Sequence, residues 1–569
     1  MIVGTQAVGR AREIVLGVSI GAVIGLVTAL IAGGFVRGVG WIARLSDASL
    51  TLGGTIGGHF VSARFGVTLL VAALLLLVVR RVFGIARWNG PADSIYAAHR
   101  ADNELDLRAG FGSTLAAFIS ASGGASVGQY GPLVHFGATM GAAIQRWTGA
   151  RISADVFIGC GVSAAISAGF DAPLAGIIFA HEAVLRHFSL RALAPISISA
   201  ILAAAAMKYL FPSVHLLTLS EAAPPLHGLI VPLVLAGVLF GMMAIGFMTL
   251  LRASARFNQT LGLRPWQSLM VATVLAGMIG AVFPDAMGLG TQVVAQIFQG
   301  SWAAEGLFVL VLAKLLVTAL CLGFGFFGGV FSPALLIGAA SGAILGQAMV
   351  ALGVTVPGPA MALAGMAAVA AAVVGAPLAT VVIVLELTAS YEFALLALVA
   401  VVVSMVVSSL FFGQSYFDRQ LLDRKIDVSR GRGHLRMMQE PVTDHAHDGY
   451  LTLRMGDSVT GALAEMRRAH VTEAYCTDAD GRLRGKVALL ALLAQSGDGL
   501  LDHVIEIAPL QIKSDASLLQ AIEQASGFVG ESIPVVDTET GRLVGIVTEA
   551  DLFSAYLALE TRIRDLEKL

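Results

Sequence analysis

Long apolar runs alternate with short polar gaps over most of the chain. They fall near Ile14–Val36 and Phe65–Val82, then at about 111–122, 132–148, 155–169, 173–185 and 192–210, and again at about 227–251, 267–283, 305–323, 333–351, 360–374, 377–389 and 392–412. A hydrocarbon core of about 30 Å needs about 20 helical residues to cross it. Several runs are shorter than that and are broken by Gly or Pro, the pattern of discontinuous helices buried in protein. One polar interval, Arg87 to Arg108, holds Asp93, His99, Arg100, Asp102, Glu104 and Asp106. The pattern predicts an all-α polytopic membrane domain over residues 1–422, followed by a different kind of domain.

Two pairs of stretches echo each other. Gly128-Gln129-Tyr130-Gly131-Pro132 leads into one apolar run, and Gly329-Val330-Phe331-Ser332-Pro333 leads into another, with Pro132 and Pro333 201 residues apart. Gly137 and Gly338, and Gly141 and Gly342, keep the same offset. Proline suits the first turn of a helix, so each stretch reads as a helix N-terminus inside a membrane-length region. The free N–H groups of such an end attract anions. The second echo is Asp171-Ala172-Pro173-Leu174-Ala175 through Glu182 against Gly375-Ala376-Pro377-Leu378-Ala379 through Glu386, at an offset of 204. Two ordered motifs at nearly equal offsets predict an internal duplication, with repeats at about 14–210 and 227–422. Their relative orientation stays open at this stage.

Past Asp418 the chain becomes charged. Residues 423–436 read as a linker and 437–569 as an α/β domain of two similar units, about 437–498 and 499–569. In the second unit, Ser532–Asp537 and Gly541–Thr548 read as strand, turn, strand, with a helix from Glu549. Thr472–Asp478 and Gly481–Ala488 form the earlier copy.

Composition sharpens the class. The 569 residues are 56% hydrophobic and 13% charged, about half the usual charged share of roughly 25%. The formal net charge of −2 gives no reason to expect a nucleic-acid partner. Cys160, Cys321 and Cys476 are far apart and suggest neither a disulfide framework nor a metal site. Arg10 and Arg12 precede the first apolar run and predict a cytoplasmic N-terminus on a retained segment. No nucleophile–base pair, metal cluster or phosphate-binding loop is visible, so an enzyme is not expected.

The quoted residues resemble the CLC family of chloride channels and chloride/proton exchangers over nearly the whole chain. Gly128–Pro132 is similar to the family motif G-K/R-E-G-P and Gly329–Pro333 to G-x-F-x-P. The Ala-Pro-Leu segments and Leu385-Glu386-Leu387-Thr388 also match, and the tail resembles a pair of CBS domains. The resemblance implies two inverted halves, an anion path at their junction built from Asn89, Gly90, Gln129, Tyr130, Gly131, Gly329, Val330, Phe331, Tyr416 and Phe417, and a homodimer in the cell inner membrane with the tail cytoplasmic.

The departures from the family pattern carry the functional argument. Tyr130 stands where the resemblance implies a gating glutamate. A phenol, with a reference pKa of about 10, is neutral at pH 7 and a poor proton shuttle. It either donates to an anion or plugs the pore. Ala183 stands where exchangers carry an internal proton-transfer glutamate. Its neighbour Glu182 reads as a structural acceptor of backbone hydrogen bonds, matching Glu386, or else as a substitute relay with His181. Asn89 replaces a chloride-binding serine, a change also similar to the fluoride-exporting branch, which keeps the glutamate. Phe417, with Tyr416 adjacent, falls at the inner pore tyrosine. In the tail, Thr548 and Asp551 match a ribose-binding pair, whereas the first copy has Ala488 and Ala491. Adenine nucleotide is thus the one cofactor to consider. These features predict a passive chloride channel. The alternatives are an antiporter with a rewired proton path and a nucleotide-sensing protein with a closed pore.

Overall fold

The computed structural model describes residues 2–49, 53–56, 59–100, 102–149, 153–211, 228–354, 358–495 and 499–568. It divides into two compact units, Met1–Ile426 and Asp427–Leu569.

The first unit is helical. Its elements are α1 (Ile2–Ser49), the hairpin β1 (Gly53–Ile56) and β2 (His59–Ser62), α2 (Arg64–Phe83), α3 (Pro91–His99), α4 (Leu107–Ser122), α5 (Tyr130–Thr148), α6 (Ala154–Phe170), α7 (Pro173–Phe179), which continues as a π-helical turn over Ala180–Leu185, and α8 (Leu190–Leu210). Then follow α9 (Ile230–Thr260), α10 (Pro265–Val282), α11 (Thr291–Phe298), α12 (Ala304–Gly323), α13 (Phe331–Ala351), α14 (Gly358–Val374), α15 (Pro377–Thr388), α16 (Tyr391–Phe411) and α17 (Tyr416–Leu422). Among the described residues, eight helical spans are long and apolar enough to cross a membrane. The first expected run, Ile14–Val36, is the middle of the much longer α1. The polar interval Arg87–Arg108 holds α3, whose Asp93 accepts the Gly90 N–H at 2.8 Å as a cap.

Duplication is visible atom by atom. α5 packs along α6, and α13 along α14. A Cβ on Gly137 would lie 2.1 Å from the Gly161 carbonyl oxygen, and one on Gly338 2.2 Å from that of Gly365. Only glycine lets these backbones touch, a device common to membrane helices. Gly128 and Gly329 pair as an antiparallel bridge, so α5 and α13 leave the junction in opposite senses. This is the inverted arrangement that the sequence had left open.

The second unit begins with α18 (Gly431–Gln439), so the segment 423–436 is not a plain linker: its second half is helical. Next come β3 (Thr452–Arg454), α19 (Val459–Ala469), β4 (Glu473–Thr477), β5 (Leu483–Ala488), α20 (Leu489–Ala494), β6 (Glu506–Ile507), β7 (Ile512–Lys513), α21 (Leu518–Ala525), β8 (Ile533–Val536), β9 (Leu543–Val547) and α22 (Glu549–Lys568). The sheets run β3-β4-β5-β6 and β7-β8-β9. β6 belongs to the first sheet although it lies beyond residue 499. In each copy a parallel pair is followed by an antiparallel one. The copies meet where the Leu483 N–H donates to the Gly541 carbonyl and the Leu543 N–H to the Gly481 carbonyl, both at 3.1 Å.

Candidate functional site

The two Pro-led loops come together at the centre of the first unit. The Gly128 N–H donates to the Gly329 carbonyl and the Gly329 N–H to the Gly128 carbonyl, both at 2.6 Å. The Gln129 N–H reaches Ser332 Oγ at 3.4 Å. Gly131 abuts Gly329 and Pro91, so the start of α3 joins the same junction.

This geometry sorts the backbone donors. The N–H of Gly329 is committed to the bridge, and that of Leu133 donates to the Gln129 carbonyl inside α5. Gly90 spends its N–H on Asp93. Tyr130 and Gly131 in α5, and Phe331 and Ser332 in α13, are the first-turn amides with no acceptor in their own helices. Pro132 and Pro333 carry no N–H. Gly329 and Gly90 therefore shape the junction, and the uncommitted first-turn amides beside it are those of Tyr130, Gly131, Phe331 and Ser332.

Tyr130 is buried and stacked on Phe170, with ring centroids 3.8 Å apart, and meets the Phe331 ring edge-on at 5.8 Å. Phe170 and Phe331 complete the triangle at 5.3 Å. A cavity of about 50 Å³ lies beside Tyr130, walled mainly by apolar side chains that include Leu335, Met366 and Ile383. The Gln129 side chain stands near the phenol, and its Oε1 is buried without a hydrogen-bond partner. Sequence reasoning missed Phe170, which is 40 positions from Tyr130 and carries no motif.

A larger vestibule of about 460 Å³ lies at the end of α2 that begins with Arg64, and it shares Leu289 and Thr291 with the Tyr130 cavity. The opposite end of α2 leads to Asn89 and Gly90. The loop carrying Asn89 and Gly90 returns from that end to the junction, where Pro91 meets Gly131. The Asn89 N–H donates to Ser113 Oγ at 2.8 Å. Trp88 Nε1 donates to the Gly325 carbonyl at 3.3 Å, tying this loop to the one before α13. Asp93 is gripped by Arg87 at 2.6 Å and Arg424 at 2.7 Å. Burial works against its charge, but the two guanidiniums prevail and hold its carboxyl down at about 2. On α17, which packs against α3 and α14, Phe417 is buried and the Tyr416 hydroxyl stands near the Gln420 side chain.

Glu182 has a clear structural assignment. Its oxygens accept the N–H groups of Leu378 at 2.9 Å and Ala379 at 2.8 Å. Glu386 does the same for Leu174 at 3.0 Å and Ala175 at 2.8 Å. Each repeat's glutamate thus caps the other repeat's Ala-Pro-Leu helix, satisfying end donors that the membrane could not. Ala183 is buried. His181 Nδ1 lies 2.9 Å from the His187 carbonyl, and its ring stacks on Phe188 at 4.8 Å.

In the second unit, Thr548 Oγ1 donates to Asp551 Oδ2 at 2.7 Å, and His447 Nε2 lies 3.3 Å from the same oxygen.

A duplicated membrane fold whose broken helices meet at a junction between the repeats is an architecture used by proteins that move small ions. Residues 69–409 match the family model described as voltage gated chloride channel, and residues 504–558 match the CBS domain. The chain belongs to the voltage-gated chloride channel family, the CLC channels and transporters, and carries a C-terminal CBS domain. It is 28% identical over 345 residues to the voltage-gated ClC-type chloride channel ClcB of Escherichia coli, covering 59% of this chain and 81% of that protein. A ClcB-like protein of Ralstonia nicotianae is 28% identical over 362 residues, covering 60% of this chain and 81% of that one. Among solved structures, a slow cyanobacterial Cl⁻/H⁺ antiporter aligns with a TM-score of 0.62 at 23% identity, covering 72% of this chain and 97% of its own. A CLC-type fluoride/proton antiporter aligns at 0.61 and 18% identity, covering 71% and 97%. A eukaryotic CLC transporter aligns at 0.61 and 20% identity, covering 94% and 97%.

Proposed function

We propose that the protein is a passive channel for chloride and related anions, with anion flux uncoupled from protons. The observation that carries this reading is the absence of a carboxylate from both places where a proton would be handled, Tyr130 and Ala183. Glu182, the nearest substitute, has both oxygens occupied by backbone donors. First-turn amides of α5 and α13, with Asn89, replace part of the anion's hydration, and the site binds weakly enough to release it. Opening requires Tyr130 to leave its stack on Phe170, because the aromatic triangle fills the junction. In proteoliposomes carrying a pH dye, a chloride gradient drives anion flux without uphill proton movement; chloride-driven proton uptake against its gradient overturns the reading.

The tight Tyr130–Phe170 stack also favours a second reading, a pore closed at rest and governed by the tail. Thr548 and Asp551 form a polar pair suited to a ribose, while Ala488 and Ala491 give the first copy no counterpart. Chloride flux in Tyr130→Ala proteoliposomes with none in wild type selects this reading. An inner-membrane homodimer with its N-terminus and tail in the cytoplasm completes the proposal. Cross-linking in the bilayer and protease access from each side test those two points.

A further inference from the structure

We infer that Lys314 is a specificity-determining residue that acts from behind the vestibule, making its field positive and orienting the loop that leads to the Tyr130 cavity. Lys314 sits in the middle of α12 and is fully buried. Its Nζ donates to the carbonyls of Ala286 at 3.0 Å and Gly288 at 2.8 Å. Among the described residues no carboxylate forms an ion pair with it. Burying an ammonium on two carbonyls alone is expensive, so its surroundings matter.

Those surroundings are the vestibule. Its charged lining residues are Arg44, Asp47, Arg64 and Asp285, two of each sign, and Arg64 is paired with Asp47. The lining is therefore balanced, and the lysine behind it tips the balance toward anions. The loop geometry works the same way. A trans peptide points its C=O and N–H to opposite sides. With the Gly288 carbonyl turned to Lys314, the Leu289 N–H faces away from it, and Leu289 lines both the vestibule and the Tyr130 cavity. The Gly288 N–H donates to the Gly124 carbonyl at 2.9 Å, which holds the loop from its other side. One turn further along α12, Thr318 Oγ1 lies 2.8 Å from Ser126 Oγ, two residues before Gly128. The polar positions Lys314 and Thr318 of α12 thus link the vestibule loop to the segment before the junction.

The inference rests on anion passage through this pore, and its test separates from the question of coupling. Chloride flux is measured against chloride on the vestibule side for wild type, Lys314→Arg and Lys314→Met, at low ionic strength and with an added impermeant organic anion. Lys314→Met raises the half-saturating chloride on the order of tenfold at low ionic strength, Lys314→Arg stays near wild type, and salt narrows the gap. A Met variant that saturates like wild type, or a shift indifferent to salt, overturns it. Asp285→Asn, an exposed change that does not depend on Lys314→Met folding, lowers the half-saturating chloride; no change there also overturns it. Half-saturation is read in the same way whether flux is passive or proton-coupled, so failure of the channel reading registers separately.

Discussion

In the proposed mechanism a single phenol decides what kind of pore this is. Tyr130 opens α5 at a position where an acidic side chain would compete with the anion and carry protons; here the ring instead stacks on Phe170. Aromatic pairs of this kind are worth about 0.5–1.5 kcal/mol beyond their buried area. Phe170→Ala removes the stacking partner, and chloride flux through reconstituted protein rises several-fold; unchanged or lower flux counts against an aromatic gate. Asp93 supplies a second test. Its carboxyl titrates near 2 in the fold against about 3.9 in an unfolded chain. The depressed value means its stabilisation is complete above about pH 4 and is lost as pH falls toward 2, a difference of about 2 kcal/mol. Asp93→Asn lowers the thermal midpoint at pH 7, and the gap to wild type closes on acidification. Of these residues, Tyr130 was legible because it interrupts a recognisable loop. The Arg87–Asp93–Arg424 cluster was not, because Arg424 joins Asp93 from 331 residues away in sequence.

Helices in this protein are defined by how they end and by what they let touch. α7 and α15 start at prolines inside the membrane region, and each is capped by a glutamate from the other repeat. Hydrogen bonds to a charged group contribute about 1.5–3 kcal/mol each, so Glu386→Gln markedly lowers detergent thermostability. The same change leaves anion selectivity intact, which separates a cap from a pore residue. At the α5–α6 crossing, a methyl group on Gly137 has no room beside the Gly161 carbonyl. Gly137→Ala abolishes folded, monodisperse protein, whereas Gly34→Ala, with nothing near its Cβ, does not. The sequence echo located these elements because proline and glycine serve fixed geometric roles. It could not reveal α3 or α11, whose nine and eight residues are too few to show a helical period. Nor did it flag Lys314, one charge in an apolar run whose meaning depends on a loop 26 residues upstream.

At the scale of the whole molecule, duplication explains how a membrane interior comes to hold a cluster of free helix-end donors. Two copies of one motif, arriving from opposite senses, meet at the Gly128–Gly329 bridge and cap each other's Ala-Pro-Leu helices. The tail repeats the strategy in soluble form, with two strand pairs joined by reciprocal hydrogen bonds at Gly481 and Gly541. The asymmetry between its copies has a consequence for ligand binding. Calorimetric titration of the full-length protein with ATP or AMP gives at most one site per chain, and Asp551→Ala removes it; two equivalent sites contradict the assignment. Family motifs made the architecture readable before any coordinates.

The most direct measurement is the reversal potential of the purified protein in a planar bilayer under a fixed chloride gradient, with and without a pH gradient across the membrane. A passive anion pathway predicts reversal at the chloride equilibrium potential, unmoved when the pH gradient is imposed. A reversal potential that shifts with the pH gradient contradicts the account.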